Sequence, residues 1–134
     1  KVVSVLSGNE PAGLEDVPET VPFADTISRG EMMKRMQKCY DWMRKNVPAE
    51  NVLMEQGERI RHEAALLATL GTIINLEGYT SADEEQYQQY AQSLIESCQT
   101  VIDAAGNGQF DEYSSALDKI YKACNDCHVD YRGE

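Results

Sequence analysis

The sequence predicts an all-α protein, an antiparallel four-helix bundle preceded by an N-terminal extended arm. Apolar residues recur every three to four positions in four separate segments, which is the spacing of one helix face. No segment shows the sustained alternation of apolar and polar residues that is typical of half-buried strands. Short connections join the four segments, and amphipathic helices joined in this way pack as an antiparallel bundle.

The arm is predicted from the distribution of prolines and glycines. Residues 1–23 contain three of the four prolines in the chain, together with Gly8 and Gly13. Prolines and glycines interrupt regular secondary structure. We therefore expect residues 1–23 to form an extended arm and residues 24–134 to form the helical domain.

The first helix is predicted over residues 25–46, because Asp25 can cap it and Pro48 prevents its continuation. The second helix is predicted over residues 49–76, and Gly78 is its expected stop. The apolar stripe predicted for the first helix consists of Met33, Met36, Tyr40, Met43 and Val47.

The third helix is predicted to begin at Ser81, because Ser81 and Glu84 match the S-x-x-E capping box. The sequence Gly106-Asn-Gly108 is expected to end it. The fourth helix is predicted over residues 109–131. Its apolar face consists of Phe110, Tyr113, Leu117, Ile120, Cys124 and Cys127.

The chain is acidic, with 23 Asp and Glu, 12 Lys and Arg, and a formal net charge of −11. This charge argues against binding a nucleic-acid backbone, which requires clusters of cations. The charges are also segregated. Residues 29–45 contain six cations and two acids, whereas residues 62–118 contain no Lys or Arg. Two interpretations stay open, namely solvated helix faces and a charged face that steers a partner.

The last predicted helix carries Cys124-Asn-Asp-Cys127-His128, which has the spacing C-x-x-C-H. At 3.6 residues per turn, these three side chains share one helix face. Two thiols so placed can bond to the two vinyl groups along one porphyrin edge, and the histidine can ligate the iron. The spacing predicts one covalently bound haem c, attached through Cys124 and Cys127, with His128 as an axial ligand.

Two other chemistries use paired cysteines, and the sequence favours neither. A structural zinc site needs four ligands, whereas the motif supplies three. A thioredoxin-type dithiol opens a helix after a strand, whereas this motif closes a helix. The remaining cysteines, Cys39 and Cys98, are expected to be buried thiols, because helices one and three of such a bundle lie diagonally. A disulfide between them is the less favoured alternative.

A four-helix bundle with C-x-x-C-H near its C-terminus resembles the cytochrome c′ family. In that family the histidine is followed by two residues, an aromatic and a base, and here Tyr131 and Arg132 follow His128 in this way. The resemblance covers roughly residues 25–132. Two further segments are similar to the family pattern, namely Gly108-Gln-Phe110 and the first-helix stretch that contains Arg29 and Met33.

The resemblance implies that Arg132 lies near the proximal face of the haem and that Tyr131 walls the same pocket. It also implies that Met33 lies over the sixth coordination position of the iron, with Met32 and Met36 as substitutes. A His/Met-ligated iron suits one-electron transfer. Without a methionine ligand, the iron is five-coordinate and binds a small gas such as NO or CO. Methionines on one helix are also typical gap-filling core residues.

The resemblance further implies an electron-carrying or gas-binding protein of the periplasm, exported with its leader removed. Its expected partners are a redox partner protein and, through the first two helices, a second copy of the chain. We expect no enzymatic activity, since the first helix offers no distal His and Arg pair, although Arg29 is present. We expect no membrane insertion, because no apolar run approaches the roughly 20 residues that span a bilayer. His62 is expected to be solvated rather than a second haem ligand.

Overall fold

The computed structural model describes residues 28–76 and 78–131, and within them the chain forms five helices and no strand. The predicted all-α bundle is confirmed. The predicted arm lies outside the described residues, as do Asp25 and Arg132. The helices are α1 (Arg29–Asn46), the short α2 (Glu50–Glu55), α3 (Gly57–Ile73), α4 (Glu85–Asn107) and α5 (Phe110–Tyr131).

The four long helices pack in the order α1, α3, α4, α5, so that α1 and α4 lie diagonally. Contacts between helix ends show that neighbours run antiparallel. Tyr87, near the start of α4, donates to the carbonyl of Ile74, just after α3, and Tyr90 donates to Asp130, near the end of α5. α1 and α5 touch only sparsely. The bundle is therefore closed on three sides and loosely closed between α1 and α5.

The core runs along the bundle and reaches the C-x-x-C-H motif, where the buried Tyr87 lies beside it. The buried hydroxyl of Tyr113 on α5 donates to the carbonyl of Met43 on α1 over 2.9 Å, which joins these two helices where they do touch. Each such large side chain stabilises the fold by about 1.5–3 kcal/mol through burial alone. Among the described residues, the largest fully buried side chains include Tyr87, Tyr113, Met43, Leu53, Ile60, Leu67, Leu117 and Ile120.

α1 begins later than the sequence predicts. Ser28 has extended backbone angles, and its hydroxyl accepts a hydrogen bond from the backbone N–H of Glu31 over 3.0 Å. Ser28 is therefore the N-cap, and the prediction that Asp25 caps this helix is wrong. The serine cap satisfies an otherwise free N–H of the first turn. The carboxylate of Glu31, also in the first turn, interacts favourably with the positive end of the helix dipole.

The predicted second helix is two helices. Gln56 leaves the helical region at φ −101° and ψ 18°, which separates α2 from α3. Gly57 follows directly as the first residue of α3. Glycine in the interior of one continuous helix would cost about 1 kcal/mol relative to alanine, so an interruption at this position loses little helix stability. α3 then ends at Ile73, three residues before the predicted end.

The capping box predicted at Ser81 is wrong. Ser81 has a positive φ of 69° and lies in a turn, and α4 begins four residues later at Glu85. A left-handed residue cannot serve as an N-cap, whose backbone is extended. The predicted end of this helix is confirmed, because Gly108 adopts φ 68° and ψ 27°, the left-handed cap that glycine favours.

Replacing Gly108 by alanine should destabilise the protein by about 1–2 kcal/mol, because a Cβ disfavours the left-handed conformation. The added Cβ would also lie 2.9 Å from the sulfur of Met54. Gly106, inside α4 with nothing within 4 Å of its Cβ position, is the matched control. Gly106→Ala should be neutral or stabilising by up to about 1 kcal/mol. Urea unfolding measures both, and equal effects of the two substitutions would contradict this account of the cap.

Candidate functional site

The C-x-x-C-H motif lies in the last two turns of α5. Cys124, Cys127 and His128 are all half-buried, and all three line one apolar cleft inside the bundle. The predicted sharing of one helix face therefore holds. The opposite wall of this cleft comes from α1, where Met33 faces the motif.

Three clefts meet at this level of the bundle. We call them the inner cleft, which lies among α1, α4 and α5, the upper cleft, which Arg29, Thr80 and Tyr131 line, and the side cleft, which Tyr40 and Tyr121 line. Met33 and His128 line all three. Cys127 lines the inner and upper clefts, and Cys124 lines the inner and side clefts. The inner cleft is otherwise bounded by Met36, Ile74, Tyr87, Tyr90, Ala91, Leu94 and Ala123.

The space exists because small side chains face it. Ala91 on α4 and Ala123 on α5 occupy inner-cleft positions where larger residues would fill the gap. α1 also stays apart from α5 at this level, whereas Tyr113 holds the two helices together nearer the other end. Clefts lined mainly by apolar groups with a few converging polar ones are typical ligand sites.

Arg29 at the start of α1 stabilises the wall of the upper cleft. Its Nη1 donates to the carbonyl of Thr80 over 2.7 Å and to the hydroxyl of Tyr87 over 3.0 Å. The same Tyr87 hydroxyl donates to the carbonyl of Ile74 over 2.8 Å. These bonds connect α1, α4 and the turn after α3, and so they hold three walls of the site together.

Tyr131 lies where the sequence places it, beside the motif and lining the upper cleft. Its hydroxyl donates to Glu84 over 3.0 Å, and its ring packs edge-to-face on Tyr87 with centroids 5.4 Å apart. Desolvation and the hydrogen bond to Glu84 raise the pKa of Tyr131 to about 12. Tyr131 is therefore neutral at physiological pH. Arg132, the other residue predicted here, is not among those that the structure describes.

The electrostatics of the motif disfavour a dithiol redox centre. Burial, reinforced by the neighbouring Cys127, raises the pKa of the Cys124 thiol to about 11. The thiolate is the form that attacks disulfides, and redox-active cysteines have lowered pKa values. Within residues 28–76 and 78–131, no three Cys, His, Asp or Glu side chains converge to hold a metal ion, which disfavours a zinc site built from side chains alone.

The cleft and its donor set fit a haem. The inner cleft encloses only about 30 Å³, so a macrocycle would also occupy the adjoining upper cleft of about 880 Å³, which Cys127 and His128 line as well. Met33 lines the cleft from α1. Of the two substitute methionines, Met36 lines the inner and side clefts, whereas Met32 is 4% exposed in the core and lines none of these three clefts.

The other reactive residues lie away from the clefts. His62 is exposed on α3, as expected. Cys39 and Cys98 are buried free thiols, as expected, and each is 0% exposed. Burial and the neighbouring Glu63 carboxylate raise the pKa of Cys39 to about 11.

The sequence interpretation missed most of the cleft wall that α4 contributes. Tyr90, Ala91 and Leu94 line the inner cleft. Helical spacing places them one and two turns after Tyr87, so the apolar stripe of α4 could have indicated them. The bonds of Arg29 to Thr80 and Tyr87 join residues more than 50 positions apart, and helical spacing gives no signal for such pairs.

An all-helical bundle whose last helix directs two thiols and an imidazole into an apolar cleft has the architecture of a c-type cytochrome. Residues 78–132 match the family model described as Cytochrome C', which supports this family for the C-terminal part of the chain. The predicted resemblance is thereby confirmed. Proteins of this family carry covalently bound haem c. No curated protein and no solved structure matched the chain at the required significance.

The family match covers the turn after α3 together with α4 and α5, and it leaves α1 outside. The motif therefore lies within the matched part, whereas Met33 does not. None of the helices formed by the described residues combines the length and apolar character that crossing a bilayer requires.

Tyr87→Phe should destabilise the protein by about 1–3 kcal/mol, because it leaves the Ile74 carbonyl and the Arg29 guanidinium without this hydroxyl. The matched control is Tyr121→Phe, since Tyr121 is 59% exposed and its hydroxyl should be solvated. That substitution should change stability by less than about 0.5 kcal/mol. Thermal unfolding of both variants measures the difference, and an equal loss in both would argue against the bonding role of Tyr87.

Proposed function

We propose that the chain is a monohaem c-type cytochrome that transfers single electrons through a haem with His128 and Met33 as axial ligands. Cys124 and Cys127 would hold the haem through thioether bonds. The observation that carries this proposal is the shared cleft, in which Met33 on α1 and His128 on α5 line the same space from different helices. The bound haem supplies iron that exchanges one electron without a change in the protein chain.

Met33 is the best-placed methionine for the sixth position. It lines all three clefts together with His128, whereas Met36 lines two and Met32 none. Met33 is also half-buried, which leaves its side chain freer to adjust than the packed Met32 and Met36. A thioether ligand raises the reduction potential relative to a site without it.

The walls of the cleft support electron transfer in a second way. Apolar side chains exclude water from the site, and a dry environment makes the reduction potential depend on protein groups rather than on solvent. The loose contact between α1 and α5 leaves a side open through which a haem edge can approach a partner. Tyr131 and Arg132 would complete the proximal side, as the family resemblance implies.

The second candidate function is gas binding by a five-coordinate iron. The inner cleft favours it, because its lining is almost entirely apolar and would accept a small neutral molecule such as NO or CO. The two functions differ in one respect, which is whether the Met33 sulfur occupies the sixth position. We assign no catalytic residue in either case, and we propose a periplasmic location, where proteins of this family are usually found.

Met33→Leu should convert the oxidised protein from a low-spin to a high-spin absorption spectrum and lower its reduction potential. Leucine keeps an apolar side chain of similar volume but lacks the sulfur, so the fold should tolerate it. The matched controls are Met36→Leu and Met32→Leu, on the same helix, which should keep the low-spin spectrum. Absorption spectroscopy and redox titration measure these properties.

The outcomes separate the candidates. A high-spin wild-type protein that binds CO rapidly after reduction would contradict methionine ligation and favour the gas-binding function. A low-spin spectrum that survives Met33→Leu but is lost in Met36→Leu would assign the ligand to Met36. Low-spin wild type, slow CO binding and rapid CO binding in Met33→Leu would support the electron carrier.

A further inference from the structure

The opening between α1 and α5 lacks carboxylates. Among the described residues that line the upper and side clefts there is no Asp or Glu, although the chain contains 23 of them. The charged residues in this lining are Arg29 and Lys34, both on α1. The entrance to the site is therefore neutral to cationic in a protein whose net charge is −11.

The solvent face of α1 extends this cationic surface. Lys34 and Lys38 are exposed one helical turn apart on α1, whereas Arg35 donates to the sulfur of Cys39 and lies near Glu63 on α3. Lys34 forms a salt bridge with Glu31 over 3.3 Å, with both side chains more than 70% exposed. Exposed pairs of this kind are weak, so this bridge leaves both groups available to a partner. Residues 29–45 hold six cations and two acids, which leaves an excess of four positive charges.

Single carboxylates border the opening, because Glu31 pairs with Lys34 and Asp41 accepts a hydrogen bond from Gln37. The helix whose charged residues are all acidic is α4. α4 contains no Lys or Arg, and its exposed acids include Glu85, Glu96 and Asp103. α4 lies diagonally opposite α1, so these carboxylates lie on a helix that does not pack against the one that carries Lys34 and Lys38. Screening reduces charge interactions beyond about 8 Å at physiological ionic strength. A partner at the opening therefore senses the cations of α1 more strongly than the acids of α4.

The middle of this surface is aromatic and uncharged. Tyr121 on α5 is 59% exposed, and its ring lies 6.2 Å from the ring of Tyr40 on α1. Both rings line the side cleft together with Gln37 and Asn125. An aromatic centre with a polar rim is the usual anatomy of a protein interface, and tyrosine is enriched among the residues that contribute most to binding.

We propose that one surface of α1 and α5 is a docking surface for a redox partner protein that carries an acidic patch. We call it the window surface, and it consists of Lys34, Gln37, Lys38, Tyr40 and Tyr121. The proposal rests on the proposed electron transfer and identifies its partner by charge. Electrostatic attraction would bring the partner to the side where the cleft opens, and a small, transient contact there suffices. A second copy of the chain, whose α4 is also acidic, is the competing occupant, and the sedimentation experiment below tests it.

Two small inorganic probes of opposite charge test the window surface in the haem-loaded protein. Stopped-flow absorbance measures oxidation of the reduced protein by hexacyanoferrate(III), an anion, and by tris(phenanthroline)cobalt(III), a cation. We expect the rate constant with the anion to fall as ionic strength rises, despite the negative net charge of the protein. The rate constant with the cation should show the weaker dependence. An anion rate that rises with ionic strength would overturn the proposal.

Substitutions locate the effect. Lys34→Gln and Lys38→Gln should each lower the rate with the anion about threefold at low ionic strength, the size expected for one charge acting over roughly 10 Å. Lys45→Gln is the matched control, because Lys45 is exposed on the same helix but lies 11 residues from Lys34. That separation is about 16 Å along the helix axis. An equal effect of all three substitutions would overturn the assignment.

A measurement that needs no electron transfer separates this proposal from the proposed function. Hexacyanochromate(III) is paramagnetic and redox-inert under these conditions, and it broadens the NMR signals of amides near which it binds. In the protein as purified, broadening should centre on Lys34, Lys38 and Tyr121. Broadening centred on Arg59 and Arg61 instead, or none at all, would overturn the window surface even if the protein proves to be an electron carrier.

Sedimentation velocity addresses the remaining occupant. We expect the sedimenting mass of the wild-type protein and of Lys34→Gln to be the same at every protein concentration used. A concentration-dependent dimer that Lys34→Gln abolishes would assign the window surface to contact between copies and overturn the proposed partner.

Discussion

Two thiols and an imidazole on one face of α5 must share a space wide enough for a planar macrocycle, and the rest of the bundle depends on that requirement. The three side chains come from one helix, so the space has to be left by the helices opposite. Small residues on α4 and α5 leave the inner cleft, and the larger upper cleft of about 880 Å³ opens beside it where α1 stays apart from α5. A four-helix bundle without a cofactor would close this gap with larger side chains, because protein interiors pack without large voids.

The cost of the gap is offset at its edges and at the far end of the bundle. Tyr113 joins α5 to the backbone of α1, and Arg29 connects α1 to the turn after α3 and to Tyr87. A covalently attached haem would add stability through apolar contacts that form only in the folded state, since the thioether bonds persist in the unfolded chain. The parts that define the class, α4 and α5, are those that match the cytochrome c′ family, whereas α1 carries the residues on which the proposed finer function depends, Met33 and the cations.

Helix periodicity and the motif spacing were enough to predict the bundle, the motif face and the core stripe of α5, because both signals are local. The capping box predicted at Ser81 is wrong because S-x-x-E also occurs outside helix starts. Ser81 instead lies in a turn next to Thr80, whose carbonyl accepts a hydrogen bond from Arg29 on α1. Neighbouring residues on a helix point about 100° apart, so spacing alone does not show which methionine enters the cleft. The structure places Met32 in the core and Met33 in the cleft, an outcome that depends on the positions of α3, α4 and α5.

The covalent link between α5 and a haem is the central claim, and intact-mass spectrometry of the protein purified from a host that attaches haem c tests it most directly. We expect the mass of the polypeptide plus one haem, retained after denaturation. After treatment with an alkylating agent in denaturant, Cys39 and Cys98 should be modified, whereas Cys124 and Cys127 should not. A mass equal to that of the polypeptide alone, with all four cysteines alkylated, would contradict the account.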